Sequence, residues 1–241
     1  RQMCIRDRLW KVDRMLEAPE EAAQSYTTPL AVNVGQQDAI AVMGADHLTL
    51  HRADDGREIG RLGGFNPDAQ KFFRSISSPV ADGDLIICPY ARGSTLTAVR
   101  MSELASGKGK DSIAWFNEET SSDVPTPAAF DGRTYVVGDG KKNRGVVSCL
   151  DVESGKTLWS VALEKSRVGF SSSPLIAGNH IYVTQENGTT TVIGPLSAEQ
   201  PMIVSTNAIA DTERFTVASL VPIENDLLLR SRNYLYRISG E

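Results

Sequence analysis

A Ser/Thr-Pro pair recurs through the chain at intervals of 46 to 50 residues. The copies are Thr28-Pro29, Ser78-Pro79, Thr126-Pro127 and Ser173-Pro174, with a degenerate fifth copy at Ser219-Leu220. Self-similarity at a period of this length is typical of repeat architectures, in which each repeat is one supersecondary unit that packs on its neighbours. The repeat therefore constrains the fold more strongly than any local pattern in the chain.

The same order of local signals follows each of these pairs. Turn residues come first, as in Asp82-Gly83 and Asp131-Gly132, and a short apolar run, a second turn and a second run come after them. Such turn residues tolerate positive φ and join adjacent antiparallel strands. Proline costs no ladder hydrogen bond when it begins a strand. Each repeat therefore predicts four short strands in one small twisted sheet.

A small sheet of this kind has two apolar faces, which it cannot bury by itself. Stacking the sheets radially buries both faces, and closing the ring protects their edges. The predicted fold class is therefore all-β, a β-propeller of four-stranded antiparallel blades. Helical periodicity is almost absent, and residues 17–24 are interpreted as a short helical connector.

The third copy of the repeat carries a resemblance to a known family. It begins with Thr126-Pro127, continues through Tyr135-Val136-Val137 and closes with the letters LDVESGKTLW at residues 150–159. This pattern resembles the repeat of the PQQ-like (quinoprotein-type) propellers, and the resemblance extends over nearly all of residues 9–241. It implies a ring of seven or eight blades, of which four to five are present here. Leu9-Trp10 matches Leu158-Trp159 and is predicted to be the last strand of a preceding blade.

Residues 1–8 are interpreted as foreign to the protein. Their codons match, in frame, CGTCAGATGTGTATAAGAGACAG, which looks like the end of a transposon-type sequencing adapter. We therefore expect residues 9–241 to be the C-terminal part of a longer propeller protein, with its blade total and its signal region outside the sequence. We also expect a truncated propeller to expose blade faces.

The charge balance argues against one large class of functions. Without residues 1–8, which carry three Arg and one Asp, 22 basic and 29 acidic side chains remain and give a net charge of −7. A general nucleic-acid binder needs a basic surface, so we expect no nucleic-acid partner. No apolar run approaches the about 20 residues that a membrane span needs, so we expect no span here, although the full-length protein could be membrane-anchored.

Two cysteines remain outside the adapter segment, Cys88 and Cys149, and both lie in apolar runs that are typical of strands. We interpret them as small buried hydrophobic residues. The sequence leaves a disulfide between them open, because two cysteines at this separation do not decide the pairing.

Three local motifs are better explained by structure than by catalysis. Gly155-Lys156-Thr157 ends like a P-loop, but position 150 is Leu and a strand pattern follows, so we predict a turn. Gly138-Asp139-Gly140 lacks the spacing of a dinucleotide-binding fingerprint. His47 and His51 alternate with leucines as on a strand, which puts them about 13 Å apart and predicts solvent-facing side chains. We assign no catalytic residue and no metal ligand.

Three tryptophans are predicted to pack one blade against the next. They are Trp10, Trp115 and Trp159, each at the predicted outer strand of its repeat. A binding platform is the alternative role for these rings.

Arginine and phenylalanine occur together in the segments that lead into the anchors. The pairs are Phe73-Arg74, Arg167 with Phe170, and Arg214-Phe215. In a propeller these segments surround one mouth of the central channel, so Arg74, Arg167 and Arg214 are expected to form a basic, aromatic-lined funnel for an anionic ligand or an acidic peptide. Solvated loops with packed Phe side chains are the alternative.

Fold alone does not determine function, so three readings stay open. The resemblance favours a non-catalytic, extra-cytoplasmic (periplasmic) scaffold that binds a protein or peptide, similar to the propeller of the bacterial outer-membrane protein assembly machinery. The second reading is a PQQ- and calcium-dependent quinoprotein dehydrogenase whose cofactor site lies in missing blades, because the chain shows no evident cofactor residues. The third is a sensor or substrate-capture module of a larger exported protein. Whether the full protein is an enzyme is left open.

Overall fold

The computed structural model describes residues 8–90, 92–209 and 215–240. Its strands form five antiparallel sheets, each from one continuous stretch of chain and with its strands in sequence order. Blade 1 contains β1 (Leu30–Val34), β2 (Gln37–Gly44), β3 (His47–Arg52) and β4 (Glu58–Gly63). Blade 2 contains β5 (Val80–Asp82), β6 (Leu85–Tyr90), β7 (Thr95–Arg100) and β8 (Ile113–Asn117).

The next two sheets repeat this plan and the last has one strand fewer. Blade 3 contains β9 (Ala128–Phe130), β10 (Arg133–Val137), β11 (Val146–Asp151) and β12 (Thr157–Ala162). Blade 4 contains β13 (Leu175–Ala177), β14 (His180–Thr184), β15 (Thr189–Gly194) and β16 (Met202–Ala208). Blade 5 contains β17 (Val221–Ile223), β18 (Asp226–Arg230) and β19 (Leu235–Ser239). The prediction of four-stranded blades is confirmed.

Short helices make up the rest of the regular structure. A 3₁₀ helix at Glu20–Ala23 confirms the helical connector expected within residues 17–24. The sequence did not predict α1 (Met101–Ala105), or the 3₁₀ helix Gly109–Ser112 that follows it between β7 and β8. The prediction that Leu9-Trp10 forms an outer strand is wrong, because residues 8–19 form no strand.

The apolar core lies between neighbouring blades rather than inside any one of them. Successive residues of a strand point to opposite faces of its sheet, so one strand serves two interfaces. In β10, for example, Val136 belongs to the cluster shared with blade 2, whereas Tyr135 and Val137 belong to the cluster shared with blade 4. Each blade is therefore buried only when both neighbours are present.

The Ser/Thr of each anchor links its blade to the preceding one. The backbone N–H of Thr28 donates to Ser78 Oγ at 2.9 Å, and that of Ser78 donates to Thr126 Oγ1 at 3.0 Å. The same bond joins Thr126 to Ser173 Oγ at 3.0 Å and Ser173 to Ser219 Oγ at 2.9 Å. This anchor ladder explains why a hydroxyl recurs at this position, because it accepts an N–H that would otherwise lack a partner.

Two of the three predicted tryptophans pack across a blade interface in the same way. Trp115 Nε1 donates to Val152 O at 2.7 Å, and its ring covers Gly155, where a Cβ would lie 2.5 Å from the ring. Trp10 Nε1 donates to Ala53 O at 2.9 Å, and its ring covers Gly56 at the same 2.5 Å. Trp10 therefore occupies the position of an outer-strand tryptophan although its segment is not a strand.

The third tryptophan is buried at the interface of blades 3 and 4 but has a different environment. Trp159 packs against Tyr135 with ring centroids 5.9 Å apart, and it shares a cluster with Leu196. Its Nε1 is buried without a hydrogen-bond partner among the described residues. Blade 4 has no glycine turn to receive it, since its last two strands are joined by the segment Pro195–Pro201.

Candidate functional site on the connection face

The candidate site lies on one face of the stacked blades, which we call the connection face. It contains the segments that run from the outer strand of one blade to the inner strand of the next, at residues 64–79, 118–127 and 163–174, and the described residues 209 and 215–220 of the last such segment. The loops between the second and third strands of each blade lie at the same end, because the strands are antiparallel. The turns between the first and second strands lie at the opposite end.

The three predicted arginines do not form one described cluster. Arg74 lies on the first connection, where its Nε is 3.3 Å from Glu21 Oε2, so a carboxylate already neutralises it. Arg167 is exposed on the connection into blade 4. Arg214 lies outside the described residues. The funnel of Arg74, Arg167 and Arg214 therefore stays a prediction.

The phenylalanines beside these arginines differ in exposure. Phe73 packs against the core cluster of blades 1 and 2, and Phe170 is buried in that of blades 3 and 4. Phe215 is exposed. Phe73 and Phe170 thus pack against the core, whereas Phe215 is open to solvent.

Acidic side chains in the strand loops hold the connections in place. Asp139 accepts the backbone N–H groups of Asp123 and Val124, both at 2.9 Å, and so fixes the entry into blade 3. The Ser171 hydroxyl donates a hydrogen bond to Glu186 Oε1 at 2.6 Å, at the entry into blade 4. The sequence did not reveal that Asp139 holds the connection, although this residue lies within the Gly138-Asp139-Gly140 motif.

Burial and a neighbouring carboxylate perturb Asp123. Desolvation by burial is the largest cause that raises the pKa of Asp123, and the negative charge of Asp139 raises it further. The positive charges of Arg92 and Arg74 act in the opposite direction. The inner part of the connection face therefore carries charges of both signs.

A buried polar network joins blade 1 to blade 2. The Tyr90 hydroxyl donates to Asp46 Oδ1, and Asn66 Nδ2 donates to Asp46 Oδ2 at 2.9 Å. Asn66 Oδ1 also accepts the backbone N–H of Gln70 at 2.9 Å, which closes the loop of residues 66–70. Burial raises the pKa of Tyr90, and the bond to Asp46 raises it further, so the hydroxyl keeps its proton as the donor. The first connection is thereby held firmly against blade 1.

A cavity of about 390 Å³ opens beside this network, between blades 1 and 2, and we call it the interblade cavity. Its apolar lining comes from the end of β4, from the first connection and from β8. These residues are Leu62, Phe65, Phe73, Ile113 and Phe116. Its polar lining includes Asn66, Asp68, Ser94, Thr95, Thr97 and Glu118. Cavities of this size, apolar with a few polar groups, are typical of ligand sites.

Histidines and cysteines make no metal site in the described part of the chain, where no three His, Cys, Asp or Glu side chains come together. His47 and His51 lie on β3 as predicted, but the prediction that both face solvent is wrong. His51 is only 4% exposed. Gly56 O lies 3.1 Å from its Nδ1, and Thr49 Oγ1 lies 3.0 Å from its Nε2. These partners remove the cost of burying a polar ring.

Cys88 and Cys149 are both buried and unpaired, which confirms their interpretation as small core residues. Burial raises the pKa of both thiols, that of Cys149 to about 11. The question of a disulfide is thereby answered in favour of two thiols.

Comparison with known proteins extends this picture. Residues 99–200 match a family model of PQQ-type repeats, described as outer membrane protein assembly factor BamB. The fold is similar to BamB from Moraxella catarrhalis, with a TM-score of 0.64 and 16% identity over 95% of this chain. The chain has a propeller fold and is similar to the PQQ-type propellers, with the family match confined to residues 99–200. No curated protein matches it.

Other solved structures are similar in fold at equally low identity. The quinohemoprotein alcohol dehydrogenase ADHIIG from Pseudomonas putida HK5 has a TM-score of 0.68 and 14% identity over 96% of this chain. The computationally designed Ika8 protein has a TM-score of 0.63 and 12% identity over 88%. The chain spans 62% of the BamB chain, 42% of the dehydrogenase chain and 57% of the Ika8 chain.

Proposed function

We propose that this PQQ-like propeller is an extra-cytoplasmic scaffold that binds another protein through its connection face. The observation that supports this is the exposure of three phenylalanines along that face, two on its connections and one at the end of a strand that leads into a connection. Phe72 is 55% exposed, Phe116 at the end of β8 is 56% exposed, and Phe215 is 55% exposed.

Exposed aromatic rings beside arginine are the composition that protein interfaces favour. Aromatic residues and Arg are enriched at interfaces, and they supply most of the residues whose truncation costs substantial binding energy. On the connection face, Phe72 lies two positions before Arg74, and Arg167 is exposed on the connection into blade 4. Because Asn66 holds the first connection to Asp46 of blade 1, Phe72 is presented from an ordered segment, which lowers the entropic cost of binding.

The comparisons support the same proposal in coarser form. The matched family model is described as an outer membrane protein assembly factor, and this description supports the proposed periplasmic location. Within the described residues, no helix has the length and apolar character needed to cross a membrane. The partner in this proposal is a protein or peptide of the same compartment.

Site-specific photocrosslinking tests the proposal. A photoreactive phenylalanine analogue replaces Phe72 or Phe215 in the full-length protein, expressed in the native host. The matched control is Phe130, which is 63% exposed at the turn between β9 and β10 and hence on the opposite face. We expect one discrete partner adduct, identified by mass spectrometry, at the two connection-face positions and none at Phe130. Adducts of equal yield at all three positions, or at none, would contradict the proposal.

The alternative function is that of a PQQ- and calcium-dependent dehydrogenase. Such an enzyme needs oxygen-rich calcium coordination, and the described residues do not bring three candidate ligands together. We therefore derive no catalytic step from this chain. Calorimetric titration of the full-length protein with PQQ and calcium tests the alternative, and stoichiometric binding would favour it.

A further inference from the structure

We propose that the interblade cavity is a binding site for an organic cation, an alkylammonium group attached to an apolar body. The cavity has three aromatic walls, Phe65, Phe73 and Phe116, which come from the first connection and from β8. A cation within about 6 Å of an aromatic ring centre is attracted by the negative face of the ring, and aromatic cages use this attraction to bind quaternary ammonium groups.

The walls leave the space between them open. Among the described residues, Phe65 makes its ring contact with Tyr90, at a centroid distance of 5.7 Å, on the side of the blade 1 core. No ring contact joins Phe65, Phe73 and Phe116 to one another in the described part of the chain, so the rings line the cavity without filling it. A volume of about 390 Å³ accommodates a small ligand.

The polar rim of the cavity carries an excess of negative charge. Asp68 and Glu118 line it, and neither forms an ion pair or hydrogen bond within the described residues. Lys110 lies beside the rim, with its Cε 3.9 Å from the position a Cβ would take at Gly64, but it is exposed and does not line the cavity. Two unpaired carboxylates against one peripheral ammonium favour a positively charged ligand.

An unpartnered hydroxyl on a buried residue supplies a second, independent sign of a ligand. Thr97 is only 4% exposed and lines the cavity, yet its hydroxyl makes no hydrogen bond with any described residue. The hydroxyl is therefore available to a polar atom of the bound molecule, such as the hydroxyl or carbonyl of an ammonium compound.

The position of the cavity in the repeat also sets it apart. At an interface with a tryptophan and a glycine turn, the tryptophan ring of one blade lies on the glycine turn of the next blade. Blade 1 has Gly60 at the corresponding position, four residues after Gly56, and the Leu104 side chain of α1 approaches it instead. The interblade cavity lies farther along β4 from this contact.

Two pairs of probes test the proposal and separate a free ligand from a protein segment. The first pair is choline and 3,3-dimethyl-1-butanol, which has the same shape without the charge. The second pair is N-acetyl-lysine methylamide and N-acetyl-norleucine methylamide. Binding is followed by NMR of protein labelled at its Ile and Leu methyl groups, with Ile113 and Leu62 as reporters of the cavity.

We expect a cationic probe to bind at least about fivefold more tightly than its neutral partner, in keeping with the strength of exposed cation–π contacts. If choline is the tighter cation, the ligand is a free ammonium compound, and if the lysine derivative is tighter, it is a partner's side chain. Equal shifts from the charged and neutral members of both pairs, or no shift at Ile113 and Leu62, would overturn the proposal.

Substitutions locate the binding. Phe116→Ala and Glu118→Gln should each weaken the tighter cation by about two- to fivefold, and Lys110→Gln should strengthen it. Phe130→Ala, an exposed ring on the opposite face, is the matched control and should change nothing. Unchanged affinity in Phe116→Ala would also overturn the proposal. Because the crosslinking positions Phe72 and Phe215 do not line the cavity, failure here leaves the proposed scaffold function standing.

Discussion

Two blade interfaces are filled in different ways, the one between blades 2 and 3 and the one between blades 1 and 2. They differ in which blade supplies the bulky side chain and which supplies the glycine that it covers. Between blades 2 and 3, the large Trp115 ring lies on the glycine turn at Gly155. Between blades 1 and 2, the outer strand contributes Gly60, and the bulk comes from Leu104 of α1 in the next blade. The closing position of the repeat is therefore Trp or Gly according to what the neighbouring blade presents.

The comparison shows that the repeat preserves a filled volume rather than a residue. Protein interiors are packed at nearly uniform density, so a ring and a helix can substitute for each other if the facing residue changes to match. The third case, Trp159, has a ring without a glycine turn opposite, and its Nε1 is left without a partner. A tryptophan without its matching turn thus loses the hydrogen bond that Trp115 makes.

The largest expected effect comes from Gly155→Ala. A Cβ there would lie 2.5 Å from the Trp115 ring, at a φ of +67° that L residues rarely adopt. Overpacking and left-handed strain together should lower the free energy of unfolding by about 3 kcal/mol, as measured by urea denaturation.

Gly132→Ala in the same blade is the matched control for this prediction. Gly132 has a φ of +72° but no atom within 4 Å of its would-be Cβ. It should therefore lose only about 1 kcal/mol from backbone strain. Equal losses in the two variants would mean that the tryptophan contact adds nothing to the conformational requirement.

Leu104→Ala should have the next largest effect, because it removes the bulk that replaces a tryptophan between blades 1 and 2. Leu104 is buried and belongs to the core cluster shared by these blades. Truncation of a buried leucine costs about 2 to 5 kcal/mol, and we expect about 2.5 kcal/mol here by urea denaturation. A loss below about 1 kcal/mol would show that α1 is not the counterpart of the tryptophan.

The sequence could predict the blades, but not that Leu104 of α1 takes the place of a tryptophan between blades 1 and 2. The anchor period and the Asp-Gly turns are dictated by backbone physics, and Asp131 and Gly132 indeed both adopt positive φ. By contrast, α1 is five residues long, too short to show helical periodicity. The contact of Leu104 with Gly60 joins two blades, so no local pattern records it.

The candidate site shows the same division between local and long-range signals. Phenylalanines and arginines in the connections were visible in the sequence, but their exposure was not, since Phe170 is buried and Phe215 is exposed. The burial of His51 depends on hydrogen-bond partners at Gly56 and Thr49 that a strand pattern does not reveal. The interblade cavity needs three segments from two blades, so it emerges only in the folded chain.

Replacing Trp115 and Trp159 by phenylalanine measures what the Nε1 hydrogen bond contributes to stability. Trp115→Phe removes the bond from Nε1 to Val152 O and leaves that carbonyl without this donor, so we expect a loss of about 2 kcal/mol. Trp159→Phe removes an Nε1 that is already unpartnered, so its loss should be smaller by about 1 kcal/mol. Thermal and urea unfolding of both variants measure the difference. A larger loss for Trp159→Phe would contradict the role assigned to the hydrogen bond.

The smallest effects should come from the anchor ladder, where the two interfaces are alike. Ser78→Ala removes the acceptor of the Thr28 N–H between blades 1 and 2, and Thr126→Ala removes that of the Ser78 N–H between blades 2 and 3. Each should lower the free energy of unfolding by about 1 kcal/mol, since each loses one neutral hydrogen bond. Because the inner strands use one device at both interfaces, the two losses should agree within about 0.5 kcal/mol, close to the scatter expected of independent sites. A clear inequality would mean that the exchange of tryptophan for helix at the outer strands also alters the inner ones.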